Sequence, residues 1–259
     1  MAVSETSWII LAARGAGRYD VPFLMIDLHC HILHGLDDGP RELEGSIALA
    51  RALVADGITI AVATPHVYKG RLDVRDRELV RQRIAELAAH VPELKVLPGA
   101  EVRMVPDLLE RVEAAKDFFL LGEGAALLLE IPDLILPSGL QDIVFELRQM
   151  GLNTVLAHPE RNVVLRNDWN AVSDLVDSGT LLQITDRHIL GSAGREIERF
   201  CRKLIEAELA FAVASDAHGD QRRMPALTAA RDRLRRWFSP QQVDPLFDAN
   251  PAALLAGTR

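Results

Sequence analysis

The chain is poor in cysteine, in basic charge and in long apolar runs. Only Cys30 and Cys201 stand in 259 residues. Two thiols so far apart give neither a disulfide scaffold nor a CxxC zinc site, and they fit a reducing cytoplasm. Lys and Arg number 29 against 37 Asp and Glu, a formal charge of -8. The clustered basic surface that a nucleic-acid backbone requires is therefore missing, which argues against nucleic acid as a partner. No apolar run approaches the roughly 20 residues of a membrane span, so direct membrane insertion is not expected. The stretch SWIILAARGAGRYD is too short in apolar length for a secretory leader, and Glu5 precedes it where basic residues would be needed.

What is present is enough apolar material for a large core: 49% of the residues are hydrophobic, and a β/α chain of this length commonly forms one domain. Seven short aliphatic runs read as strands: FLMIDL, TIAVAT, LKVLPG, AALLLEI, NTVLAH, TLLQIT and FAVASD. Amphipathic stretches at 42–56, 74–90, 139–150, 168–178 and 192–208 alternate with them. This βαβα rhythm predicts a mostly parallel sheet, and strands apolar on both faces suit a distorted seven-stranded TIM-like (β/α)7 barrel. The segment 226–259 reads as one or two terminal helices with a solvated Arg-rich face. Residues 1–24 match no element, and Met25 stands directly before the first strand; they are read as an N-terminal extension, disordered or stemming from a mis-assigned start, ahead of one domain at 25–259.

Metal-type residues collect where strands end. DLHCHILHGLDDG (27–39) packs three histidines and three aspartates into thirteen residues. In an extended backbone residues i and i+2 share a side, so His29 and His31 point together and Cys30 faces the packing layer. The other strand ends carry His66, Glu101, Glu130, the His158-Pro159-Glu160-Arg161 run, and Asp216 with His218. In β/α barrels those ends form one rim where active sites are built. Five of the eight histidines fall there, while His34, His90 and His188 read as loop, helix-end and surface residues. Imidazole and carboxylate without thiolate suit Mn, Fe or Zn, in numbers beyond the needs of one ion.

With these residues in place the chain resembles the polymerase and histidinol phosphatase (PHP) superfamily, and within it the bacterial protein-tyrosine phosphatases of the CpsB/CapC/YwqE type. The matching pieces are MIDLHCHILHGLDDGP, TPHVYKG, GAEV, LLLEIP, AHPERN and SDAHGDQRRMP, in order from about residue 25 to 225. The resemblance implies the PHP fold and three divalent ions, Mn2+ first and Fe2+ or Zn2+ as alternatives. One ion would be held by His29, His31, Glu101 and Asp216, a second by Glu101, Glu130 and His158, and a third by Asp38, His66 and His218. Asp37 would shape the loop. Arg161 and Arg223, or its neighbour Arg222, would bind the phosphoryl group. Gly219 departs from the asparagine common at that place in the family. The implied substrate is a phosphotyrosine protein, a bacterial tyrosine kinase or polysaccharide co-polymerase that controls capsule or exopolysaccharide synthesis, and the protein is compatible with a homo-oligomer. Other readings are a histidinol-phosphate phosphatase, a PHP nuclease and a catalytically silent relative. Adjacent divalent ions clamp phosphoryl oxygens and lower the pKa of a shared water. A thiolate route is excluded, because neither cysteine begins a Cys-x5-Arg loop.

Overall fold

The computed structural model describes residues 24–71, 73–115, 118–220 and 223–256. Apart from Leu24, the expected N-terminal extension lies outside the described residues, as does Arg222. All seven apolar runs form strands: β1 (Met25–Cys30), β2 (Ile58–Ala63), β3 (His66–Val67), β4 (Lys95–Pro98), β5 (Glu101–Arg103), β6 (Ala126–Glu130), β7 (Asn153–Ala157), β8 (Leu181–Thr185) and β9 (Ala210–Ala214). Two further short strands, β3 and β5, follow the second and third runs, so seven runs correspond to nine strands among the described residues.

Every strand pair is parallel, yet the pairing draws two sheets, β1-β2-β4 and β3-β5-β6-β7-β8-β9, and not the single closed seven-stranded barrel expected from the sequence. The breaks have local causes. Pro65, between β2 and β3, has no N–H to give to a ladder. Gly99, between β4 and β5, lies so close to β2 that a Cβ there would stand 2.6 Å from Val62 Cγ1. The first and last strands meet only at their C-terminal ends, through the Cys30–Ala217 bridge and the bonds His31 N–H to Ala217 O (2.8 Å) and Asp216 N–H to His29 O (2.8 Å).

Helices fill the connections: α1 (Leu43–Ala55), α2 (Arg77–Ala88), α3 (Leu108–Ala114), α4 (Leu140–Gln149), α5 (Val163–Asn167), α6 (Trp169–Asp177), α7 (Asp186–Ile189) and α8 (Arg195–Glu206). The C-terminal region holds three short helices, α9 (Leu227–Leu234), α10 (Pro240–Val243) and α11 (Ala249–Leu255), rather than one or two. Its arginines are only partly a solvated face: Arg233 pairs with Glu198 and Arg235 with Asp244.

Burial divides into two clusters. The larger packs strand side chains such as Met25, Cys30, Leu127 and Leu129 against helix residues Leu49, Leu53, Leu147 and Leu204. The smaller gathers the opposite strand faces, Ile26, Leu28, Val62, Leu128, Val155 and Ala212, with Leu121 and Leu254. Gly124 lets the chain pass the last helix, since a Cβ there would meet Leu254 O at 2.2 Å, a contact no rotamer relieves. Gly124→Ala is expected to cost about 1–3 kcal/mol, read as a lowered midpoint in thermal unfolding.

Candidate metal centre

The strand ends bring the chemistry together, and β1 shows how. Between Asp27 and Cys30 its register with β2 slips, three steps of β1 facing two of β2. This bulge exchanges the strand's faces. Ile26 and Leu28 lie in the inner cluster before it, while Cys30 packs in the outer one after it. His29 and His31 are thereby turned into the site above the inner cluster. Two further residues there take left-handed backbone, His158 (φ 35) and Asp216 (φ 50), strain of the kind that concentrates at functional positions.

Glu101, completely buried, stands at the middle. Its Oε2 accepts no hydrogen bond, yet His66 Nδ1 lies 2.8 Å away, His31 Nε2 3.3 Å and His29 Nε2 3.4 Å. Its Oε1 meets His158 Nε2 at 2.8 Å. His29 Nε2 and His31 Nε2 are 3.2 Å apart, and both face Asp216 Oδ1, at 3.4 and 3.6 Å. A tetrahedral ion with bonds of about 2.1 Å spaces its donors about 3.4 Å apart. His29, His31, Glu101 and Asp216 match that spacing on every edge quoted. A second group is His31, Asp38, His66 and His218: Asp38 Oδ1 lies 3.4 Å from His66 Nε2 and 3.2 Å from His218 Nε2. All nine residues expected to bind metal therefore fall within overlapping groups whose atoms suit a cation.

Two groupings differ from the expectation: His29, His31 and Asp216 gather without Glu101. Glu101, Glu130 and His158 do not form a single set: His158 gathers with His29 and Glu101, and Glu130 with His66 and Glu101. Glu130 also carries two cations, Lys69 Nζ at 2.7 Å from Oε1 and Arg103 Nη1 at 3.2 Å from Oε2.

Charge is balanced locally. Burial works against ionised Glu101, but the imidazoles of His29 and His158 hold its carboxyl well below the usual range. Asp216 is likewise lowered, against burial, by Arg161 and His29, and Asp38 by His218 and His66. Burial pushes both thiols, Cys30 and Cys201, well above the ordinary range, so neither is a thiolate near neutrality.

Surrounding groups set the imidazole orientations. His31 Nδ1 bonds Asp37 Oδ2 at 2.6 Å, and the same carboxylate accepts from Gly39 N–H (3.0 Å) and His66 N–H (3.1 Å). His29 Nδ1 faces Gln183 Oε1 at 2.9 Å, and His218 Nδ1 faces Asp216 O at 2.8 Å. Each bond leaves Nε2 directed at the shared space, the arrangement typical of ligating histidines. Asp27 ties β1 to the segment carrying Asp216, accepting from Ser215 Oγ (2.5 Å) and Ser215 N–H (3.0 Å). Its burial pushes its carboxyl up to about 6.

Arg161 is paired with Asp216 Oδ2, and Arg223 with Asp38 Oδ2 at 3.1 Å, so both arginines reach the centre. Gly219 has φ 77, a left-handed position that glycine and asparagine share. His34 lies beside the exposed α2 residue Glu86 at 3.5 Å, and His90 is exposed beyond the end of α2. His188 is not a surface residue. It is buried in α7, where its Nδ1 meets Glu160 Oε1 at 2.7 Å, and Glu160 also accepts from Thr185 N–H at 2.9 Å. That pair braces the turn carrying His158 and Arg161. Sequence reasoning missed Gln183, Lys69, Arg103 and the Glu160–His188 pair; the one available signal was a polar residue inside an apolar strand, Gln183 in TLLQIT.

A rim of imidazoles and carboxylates on the C-terminal ends of parallel strands defines a β/α protein of the metal-dependent hydrolase kind. A phosphotriesterase from Mycobacterium tuberculosis shares the fold, with a TM-score of 0.59 over 90% of this chain and 94% of its own, at 14% identity. Residues 25–256 match the family model for capsular polysaccharide synthesis, CpsB/CapC, and the chain belongs to that family. It is 37% identical over 198 residues to the tyrosine-protein phosphatase YwqE of Bacillus subtilis, covering 75% of this chain and 77% of YwqE. It is 29% identical to the tyrosine-protein phosphatase CpsB of Streptococcus pneumoniae, over 89% and 98%. Crystallographic work on YwqE and CpsB, described as unique metal-dependent tyrosine phosphatases, includes a chain with a TM-score of 0.85 at 32% identity, over 91% of this chain and 96% of that one.

Asp37→Asn would present an amide N–H to His31 Nδ1 and favour the tautomer with a protonated Nε2. Titration with Mn2+ should show affinity about 10–100-fold weaker than the parent protein's.

Proposed function

We propose that this protein hydrolyses phosphotyrosine in protein substrates with the help of three divalent ions, Mn2+ foremost, with Fe2+ or Zn2+ as alternatives. The observation that carries the reading is the gathering of His29, His31 and Asp216, their donor atoms 3.2 to 3.6 Å apart, beside the buried Glu101, whose Oε2 lies 3.3 and 3.4 Å from the same two imidazoles. His29, His31 and Asp216 with Glu101 hold one ion, Glu101 with His158 a second, and Asp38, His66 and His218 a third, with Glu130 beside Glu101 and His66. The two sheets are read as the split wall of a distorted seven-stave β/α barrel, with residues 25–259 as one domain.

Such ions, when bound, polarise phosphoryl oxygens and supply a water of lowered pKa. The chain's own groups do the rest. Arg161 and Arg223 offer planar forks to the phosphoryl oxygens, contacts that strengthen as charge redistributes in the transition state. Asp216 and Asp38 hold those guanidiniums at the centre. A phenolate leaving group, with a parent pKa of about 10, departs with less protonation than an alkoxide. The nine ligand-type residues side by side weigh against a catalytically silent relative.

A polypeptide substrate is favoured over a small phosphomonoester by the loop after β6. Asn162, next to Arg161, donates to Pro132 O (2.7 Å) and Ile135 O (2.8 Å), pinning that loop beside the site. It carries Leu134 and Ile135, 76% and 58% exposed, an apolar pair that sequence flanking a phosphotyrosine can cover. In keeping with the CpsB/CapC family we assign the substrate to a tyrosine-phosphorylated bacterial kinase or polysaccharide co-polymerase of capsule synthesis, and the protein to the cytoplasm. No helix among the described residues is long and apolar enough to cross a membrane.

Purified protein should release phosphate from a phosphotyrosine peptide with added Mn2+, lose that activity to a chelator, and keep it after thiol alkylation. Arg161→Met should lower kcat by about 10²-fold or more while circular dichroism in saturating Mn2+ stays native. Faster turnover of histidinol phosphate than of the phosphopeptide would replace this reading with its small-molecule rival.

A further inference from the structure

Most cations at the centre rest on carboxylates, which is compatible with metal binding because each carboxylate oxygen has a second lone pair to give. Arg161 on Asp216, Arg223 on Asp38 and Arg103 on Glu130 are of this sort. Lys69 is different. Its Nζ lies 2.7 Å from Glu130 Oε1 and also 3.1 Å from His66 Nε2. An imidazole nitrogen has a single lone pair, and an ammonium only donates. While Lys69 holds it, His66 Nε2 has nothing left for an ion, although that nitrogen faces Asp38 Oδ1 at 3.4 Å in the group completed by His218.

The backbone is arranged to bring Lys69 in. Tyr68, just before it, takes a left-handed conformation (φ 62), and Gly70, just after it, does the same (φ 63). Tyr68 is a costly residue for that region. It is held there by Asp73 Oδ1, which accepts from Tyr68 N–H at 3.0 Å, by its contact with the Phe119 ring, and by Arg111, whose guanidinium lies 4.6 Å from the centre of its ring. The turn therefore presents the Lys69 ammonium between His66 and Glu130 from a fixed base.

We propose that Lys69 is a resident cation of the metal centre: its ammonium neutralises Glu130 and caps His66 when the neighbouring position is empty, and an ion binding through His66 Nε2 must displace it. This rests on the reading of His66 as a ligand. The chain thus keeps its carboxylates balanced without a full set of ions, and the ion at His66 is the one whose affinity Lys69 lowers. The freed side chain, one-third exposed, swings to the mouth of the site.

The test is metal binding measured without substrate, so that it stands or falls separately from phosphatase activity. Metal-stripped wild type, Lys69→Met and Arg103→Met would be titrated with Mn2+ by calorimetry, and their unfolding midpoints recorded in chelator and in saturating Mn2+. Lys69→Met should bind its weakest ion about tenfold tighter or more, the worth of a charge-assisted hydrogen bond. It should also unfold earlier in chelator and gain more from Mn2+ than the parent does. Arg103→Met, which frees no imidazole nitrogen, should gain less affinity. Should Lys69→Met fail to fold without metal, Lys69→Gln serves in its place. Unchanged or weaker Mn2+ affinity in the lysine variants, or an equal gain in Arg103→Met, would overturn the proposal.

Discussion

The arrangement turns on one carboxylate. Glu101 is fully buried, yet it stays ionised because four imidazoles from three places in the chain surround it: His29 and His31 at the end of β1, His66 in β3 and His158 after β7. An ion pair so deep is expensive unless its members are well placed. The surrounding fold supplies that placement. The bulge in β1 turns two histidines inward, the break at Pro65 sets His66 beside Glu101, and left-handed backbone aims His158 and Asp216. Asp37, Gln183, Asp27 and Glu160 then fix the orientation of what has been brought in.

Irregularities at the strand ends and regularity at the opposite end divide the molecule into two jobs. Below the site the inner faces of the strands are apolar and make a buried floor. Above it the strands break, bulge or strain wherever a ligand-type residue must leave the ladder. That trade is common where geometry is fixed for chemistry. It also accounts for the two sheets, since Pro65 parts β2 from β3 and Gly99 parts β4 from β5, the short strands that deliver His66 and Glu101.

Much of this was legible in the sequence. Seven aliphatic runs gave seven strand regions because burial on both faces leaves a simple mark, and the residues at their ends came together because parallel strands share a rim. Other features depend on partners remote in sequence. Nothing in TLLQIT says that Gln183 meets His29, which lies 154 positions away. His188 read as a surface residue because its partner, Glu160, belongs to another strand's loop. The pairing of Glu130 with Lys69 and Arg103 is a matter of side-chain reach and not of spacing. The register slip in β1 was equally hidden, because an i, i+2 pair points to one side whichever side that is.

On the proposed function, Glu101 joins neighbouring ions into one centre. Counting bound Mn2+ by elemental analysis of wild type and Glu101→Gln, each equilibrated at the same free metal concentration, tests it most directly. A shared carboxylate predicts that the single substitution removes more than one ion per chain while circular dichroism stays native. Loss of no ion, or of only one, would contradict it.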